Sequence, residues 1–127
     1  MIISLYAGIL TLMYLGLSGY VIKGRFKNKV SLGDNNIPDM QKRVRAHGNF
    51  IEYVPLAIFM IFMMEILEVA PFVVHILGAL LIISRALHVY GLMNKEGASL
   101  FRAAGTLMTF FVLAMTALYN IYFYLFA

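Results

Sequence analysis

The stretch MIISLYAGILTLMYLGLSGYVI, residues 1–22, contains no charged side chain and stops abruptly at Lys23 and Arg25. A helix needs roughly 20 apolar residues to cross the hydrocarbon core of a bilayer, and this run is long enough. It is a poor signal peptide, because it lacks a basic segment before the apolar run and carries its cations at the far end. A second uncharged run, Ala103 to Ala127, has the same character. Two such runs in a chain of 127 residues leave little room for anything except a membrane domain.

The rest of the composition agrees. Hydrophobic residues make up 62% of the chain and charged residues 13%, about half the charged share of a soluble domain. Lipid tails need no charged coat, and a helix satisfies its backbone polar groups internally. Between the two runs lie two more apolar segments, Tyr53 to Met64 and Pro71 to Met93. The expectation is an all-α integral membrane protein, a bundle of four transmembrane helices in a single domain over residues 1–127. Helix 1 is expected over about Ile2 to Ile22, with Gly8, Gly16 and Gly19 as points of close helix approach. Asp39 is the expected N-cap of helix 2, starting at Met40, and Pro71 starts helix 3. Asn94 to Gly97 reads as a polar turn, and helix 4 follows from about Ala98.

The basic residues set an expected orientation. Lys23, Arg25, Lys27, Lys29, Lys42, Arg43 and Arg45 surround the first loop, and Lys95 lies in the third. The second loop carries Glu65 and Glu68 and no cation. The positive-inside rule puts the first and third loops in the cytoplasm and both termini on the other side. The net charge of +4 is thereby read as a topology signal, so no nucleic-acid partner is expected. With no cysteine in the chain, thiolate metal sites and a protein thiol nucleophile are excluded; no metal site is expected.

Charges inside membrane spans are costly and usually mark function. Glu52 falls in helix 2, Arg85 in helix 3 and Arg102 near the start of helix 4. Glu52 lies 13 residues before Glu65, which is about 20 Å along a helix, and Arg85 lies a similar distance past Pro71. Three helices thus deliver their charges to one level, on the cytoplasmic side. Arg45, Asn49 and Glu52 are spaced i, i+4, i+7 and share a helix face with Tyr53 beside them; Arg85 and His88 are one turn apart. Three arginines against one glutamate make the site attractive to an anion, and the planar guanidinium suits carboxylates. The plainer alternative is structural: Glu52 pairs with Arg85 or Arg102, Arg45 snorkels to the headgroups, and Pro55 merely kinks helix 2. His47 points off the stripe toward a different helix, and His75 sits alone near the outer face.

Arg45-Ala-His-Gly-Asn49-Phe-Ile-Glu52-Tyr53-Val-Pro55 resembles the helix 2 signature of the MAPEG family, the membrane-associated proteins in eicosanoid and glutathione metabolism. The family pattern is R-A-x-x-N-x-x-E, followed by an aromatic and a proline. Arg85-Ala-Leu-His88 resembles its R-x-x-H/Y motif on helix 3, and Arg102 resembles the arginine that activates the glutathione thiol. The resemblance covers nearly the whole chain and looks most like the bacterial members. Where eicosanoid-synthesising members carry a tyrosine seven residues after the helix 3 arginine, this chain has Leu92.

The resemblance implies a homotrimer in a bacterial inner membrane, with glutathione as co-substrate bound between subunits near the cytoplasmic face. It implies a glutathione-dependent transferase or peroxidase acting on hydrophobic electrophiles or lipid hydroperoxides that arrive through the bilayer. Arg45, Asn49, Glu52, Tyr53, Arg85 and His88 then contact glutathione, and Arg102 stabilises its thiolate. The alternative within the family is a non-catalytic lipid-binding or regulatory protein.

Overall fold

The computed structural model describes residues 1–94 and 99–127. Among them the chain forms four helices and no strand: α1 (Ile3–Asn28), α2 (Pro38–Ile66), α3 (Pro71–Asn94) and α4 (Leu100–Phe126). With 24 to 29 residues each, they are about 36–44 Å long, enough to cross the roughly 30 Å hydrocarbon core. All four are apolar enough to span a membrane. The protein is an all-α integral membrane protein. Of the expected turn over residues 94–97 only Asn94 is described, as the last residue of α3. Lys95 and the expected start of helix 4 at Ala98 lie outside the described residues.

The packing explains the order of the helices. α3 and α4 share the most extensive contact, α2 touches the other three, and α1 packs on α2 and α3 without meeting α4. Phe50, Val54, Ala57 and Ile61 of α2 form the buried seam, meeting Leu10 of α1, Leu81 of α3 and Val112 of α4. Outward-facing Leu5, Leu12, Phe59, Ile76, Leu107 and Leu118 are exposed, which fits a lipid solvent.

The three α1 glycines expected to admit a neighbouring helix do not do so. A Cβ added at Gly8, Gly16 or Gly19 would meet nothing within 4 Å. A Cβ at Gly105 of α4 would collide with the backbone of Ser84 and His88, and one at Gly91 of α3 with the backbone of Arg102. Two glycines, one on each helix, therefore bring α3 and α4 into near backbone contact at the level of the charged residues. The sequence shows where small residues are, and the fold decides which of them a neighbour uses.

Two helix ends also differ from expectation. α1 continues six residues beyond Ile22, to Asn28. Cations in a last turn complement the negative end of the helix dipole, so the basic segment favours the helix instead of ending it. The stop is at Lys29, whose left-handed φ of 56° lets Val30 N–H reach Arg25 O at 3.1 Å. α2 begins at Pro38, with Ile37 extended and providing no side-chain cap; proline is pre-set for a first helical position. Asp39 sits inside the first turn and accepts hydrogen bonds from Asn28 (2.8 Å) and Arg43 (3.0 Å). α2 runs unbroken through Pro55.

Both ends of the α1–α2 pair are tied by polar contacts. At one end the Glu65 carboxylate accepts hydrogen bonds from Ile2 N–H and, at 2.9 Å, from Ile3 N–H. This satisfies donors that α1 leaves open in its first turn, with a negative charge where the dipole favours one. At the other end buried Arg43 donates to Tyr20 O at 2.8 Å and lies 4.2 Å from the Tyr20 ring centre. His75 is not alone: its Nδ1 lies 2.7 Å from Tyr6 Oη. His47 faces α1, with Nε2 3.1 Å from Ser18 Oγ and its ring against Tyr14.

Candidate functional site

Arg85 is the largest fully buried side chain in the described structure. It extends from the middle of α3 and meets three neutral polar groups. Nη2 donates to Asn49 Oδ1 at 2.5 Å, Nη1 donates to Thr109 Oγ1 at 3.3 Å, and His88 Nδ1 lies 3.4 Å from Nη2. The Phe50 ring centre is 5.8 Å from the guanidinium carbon. Among the described residues, Nε has no hydrogen-bond partner and no carboxylate reaches the group. A buried cation held only by neutral dipoles keeps much of its desolvation cost, because no opposite charge offsets it.

Thr109 is itself held in place, with Oγ1 bonded to Ser84 Oγ at 3.0 Å and to Gly105 O at 2.9 Å. This small network forms only because Gly105 lets α4 close on α3. Neither Thr109 nor Ser84 stands out in the sequence. A weak signal exists in the i, i+4, i+7 spacing of Arg102, Thr106 and Thr109, which gives α4 its own polar stripe.

Beside this network lies a cavity of about 270 Å³ lined by Arg45, Asn49, His88, Leu92, Arg102 and Thr106. Four of the seven expected site residues therefore meet in one cavity: Arg45 and Asn49 from α2, His88 from α3 and Arg102 from α4. Arg85 is not in the wall; it stands behind Asn49 and His88. Tyr53 is not in the wall either, and packs edge-on against Phe110 with ring centres 5.5 Å apart. Leu92 takes a place in the lining where a tyrosine would have put a hydroxyl. Tyr90 points elsewhere, against Phe101.

Glu52 does not make the pair that the structural alternative called for. It pairs neither with Arg85 nor with Arg102 but with Arg45 on its own helix, Nη1 to Oε1 at 3.4 Å. Both partners are half exposed, at 56% and 50% of their side-chain surface. An ion pair open to lipid at mid-helix depth is unfavourable in a single copy of the chain. The cavity and this outward pair adjoin through Arg45, so the polar site opens onto the outer surface of the bundle. Chemically it can take an anion with Arg45 and Arg102, shape it with the Asn49 amide and the His88 ring, and offer Glu52 to a cation.

Comparison with known proteins agrees with this geometry. The family model described as "MAPEG family" matches residues 3–122. The "Inner membrane protein YecN" of Escherichia coli strain K12 is 31% identical over 123 residues, covering 97% of this chain and 92% of the relative. The protein of the same name from Escherichia coli O6:H1 matches to the same extent. No solved structure matches the chain. Four spanning helices and a relative named for the inner membrane make this a multi-pass inner membrane protein. With a family model spanning all four helices, the chain belongs to the MAPEG family.

Proposed function

We propose that this protein is a glutathione-dependent transferase or peroxidase acting on hydrophobic electrophiles or lipid hydroperoxides. The observation that carries the proposal is the charge imbalance at the cavity. Among the described residues, Arg45 and Arg102 line it, Arg85 is buried behind it with neutral partners, and Glu52 is the one acid beside it. A net surplus of two positive charges in a low-dielectric site favours an anionic ligand. Glutathione has two carboxylates for arginines, one ammonium for Glu52 and one thiol.

Arg45 sits where it can bind a carboxylate through its fork. Asn49 already gives its oxygen to Arg85, which leaves its amide N–H groups to donate to the ligand. Arg102 is assigned to the thiol, because a thiolate is the reactive form and an adjacent cation favours it. In the transfer mode the thiolate sulfur attacks the electrophilic carbon of the second substrate, and the leaving group departs with its electron pair. In the peroxidase mode two glutathione molecules give up two electrons and two protons, forming one disulfide, while a hydroperoxide becomes an alcohol and water. The apolar Leu92 wall and the surrounding lipid suit a hydrophobic second substrate.

The cavity is small beside ligand sites of roughly 300–1,000 Å³, and the Arg45–Glu52 pair lies on an outward face. A second copy of the chain packed on that face would enlarge the site and shield the pair, in keeping with a homotrimer. The deciding experiment is stopped-flow absorbance in the thiolate band on purified protein mixed with glutathione at neutral pH. Wild type should give the signal, Arg102→Lys part of it and Arg102→Ala none, with glutathione binding by calorimetry nearly unchanged in Arg102→Ala. An unaltered thiolate titration in Arg102→Ala would overturn the assignment.

A further inference from the structure

The cytoplasmic-facing segment expected after Ile22 turns out to be helical, and its residues are not arranged at random. Ile22, Arg25, Phe26 and Lys29 follow one another at i, i+3, i+4 and i+7, so they share one face. That face, with Val30 and Ser31 from the chain reversal, lines a groove of about 550 Å³. Lys23 and Lys27 are on a different side of the helix and do not line it. The reversal is built: Lys29 and Gly33 take left-handed φ values of 56° and 65°. Arg25 Nη1 then spans the gap to Gly33 O at 2.9 Å, which fixes the guanidinium at the edge of the groove. Among the described residues, no acidic side chain lines it.

The depth of the groove is set by helix length. Ile3 to Ile22 measures about 30 Å, the thickness of the hydrocarbon core. Arg25 and Lys29 then lie about 5 and 10 Å further along, in and just beyond the headgroup layer. Phe26 is 82% exposed and Leu32 87% exposed at this level, apolar groups beside two cations and the Ser31 hydroxyl. The carbonyl end of α1 carries the negative end of the helix dipole, about half a charge; the cations of the last two turns outweigh it.

We propose that this groove binds one anionic phospholipid, its phosphate between Arg25 and Lys29 with Ser31 donating, and its glycerol and upper acyl chain against Ile22 and Phe26. A pure topology signal needs positive charge but neither a shared face nor an arginine tied across a reversal. The groove is separate from the cavity at Arg102, so the proposal stands independently of the glutathione reading.

The test is native mass spectrometry of the intact protein from a neutral detergent, titrated with phosphatidylglycerol or with phosphatidylcholine of the same acyl chains. Phosphatidylglycerol should bind more tightly, and millimolar inorganic phosphate should not displace it. A juxtamembrane cation contributes about fivefold to binding an anionic lipid, so the double variant Arg25→Gln/Lys29→Gln should lose about thirtyfold, while Lys23→Gln/Lys27→Gln, with the same loss of charge, should lose no more than about threefold. Arg25 also holds the reversal, so Lys29→Gln alone, expected to lose about fivefold, separates ligand loss from loop collapse. Equal losses in the two double variants would mean a diffuse basic surface and would overturn the proposal. Equal binding of the two lipids, displacement by free phosphate, or full affinity in Lys29→Gln would overturn it as well.

Discussion

Replacing Arg85 with methionine separates a functional cation from a structural one. The substitution keeps an unbranched, apolar stem, shorter than arginine by the guanidinium end, and removes the charge. It breaks the bonds to Asn49 and Thr109, each worth about 1.5–3 kcal/mol as bonds to a charged group. It also removes a buried cation whose desolvation costs several kcal/mol, and apolar replacement of buried ions is often neutral or stabilising. These terms oppose each other, so the net change in stability should stay within about 2 kcal/mol. Ligand affinity should not be spared. At an effective dielectric of ~20, unit charges attract by about 4 kcal/mol at ~4 Å and about 2 kcal/mol at twice that distance. An anion in the cavity lies one side chain away, beyond Asn49 and His88, so glutathione binding should weaken about thirtyfold. Calorimetry in detergent measures the affinity, and thermal unfolding measures the stability. An Arg85→Met protein that unfolds much more easily yet binds glutathione as wild type does would show that Arg85 only holds helices together.

Three further outcomes are expected. Glu52→Gln should reduce glutathione affinity by about 1–3 kcal/mol, the range for a polar partner left unsatisfied, because its half-exposed position tempers the larger cost of a buried charge; unchanged binding in calorimetry would return Glu52 to a purely structural role. Gly105→Ala should push α4 off the backbone of Ser84 and His88, costing at least about 1–3 kcal/mol and distorting the cavity, measured as a lower unfolding temperature together with weaker glutathione binding. The outward Arg45–Glu52 pair calls for a neighbouring copy, and the resemblance to the family implies three chains per particle by mass measurement in mild detergent; a stable monomer that still binds glutathione would contradict it.

Much of this architecture can be read from the sequence because lipid is an exacting solvent. Uncharged runs of span length leave the backbone few choices, so helix number and order follow from hydropathy. The joining of Arg45, Asn49, His88 and Arg102 was also accessible, since helical spacing and depth along alternating helices require no side-chain detail. What escaped depends on how helices cross. Thr109 and Ser84 support Arg85 only because Gly105 and Gly91 admit the α3–α4 contact, and no spacing along one helix reveals that. The protein partner of Glu52 is local, on its own helix, where the structural alternative had named Arg85 or Arg102. Asp39 looked like a cap because it precedes an apolar helix, yet Pro38 had already started the turn. Glu65 and Glu68 read only as the outer ends of a span, although Glu65 reaches across to α1.

That reach has a mechanical meaning. Glu65 holds the first turn of α1, and Arg43 grips Tyr20 near the last turns, so α1 is fastened to α2 at both extremities while the glycine-bearing surface between is left bare. Since α1 does not touch α4, these two fastenings and the seam between them carry most of the load if the bundle is pulled apart. A force drawing α1 outward along the membrane normal meets polar latches at both ends, some 30 Å apart, with the Ser18–His47 contact between them. The first two helices therefore resist extraction as a single unit, and the α3–α4 pair, locked at its glycines, forms the other.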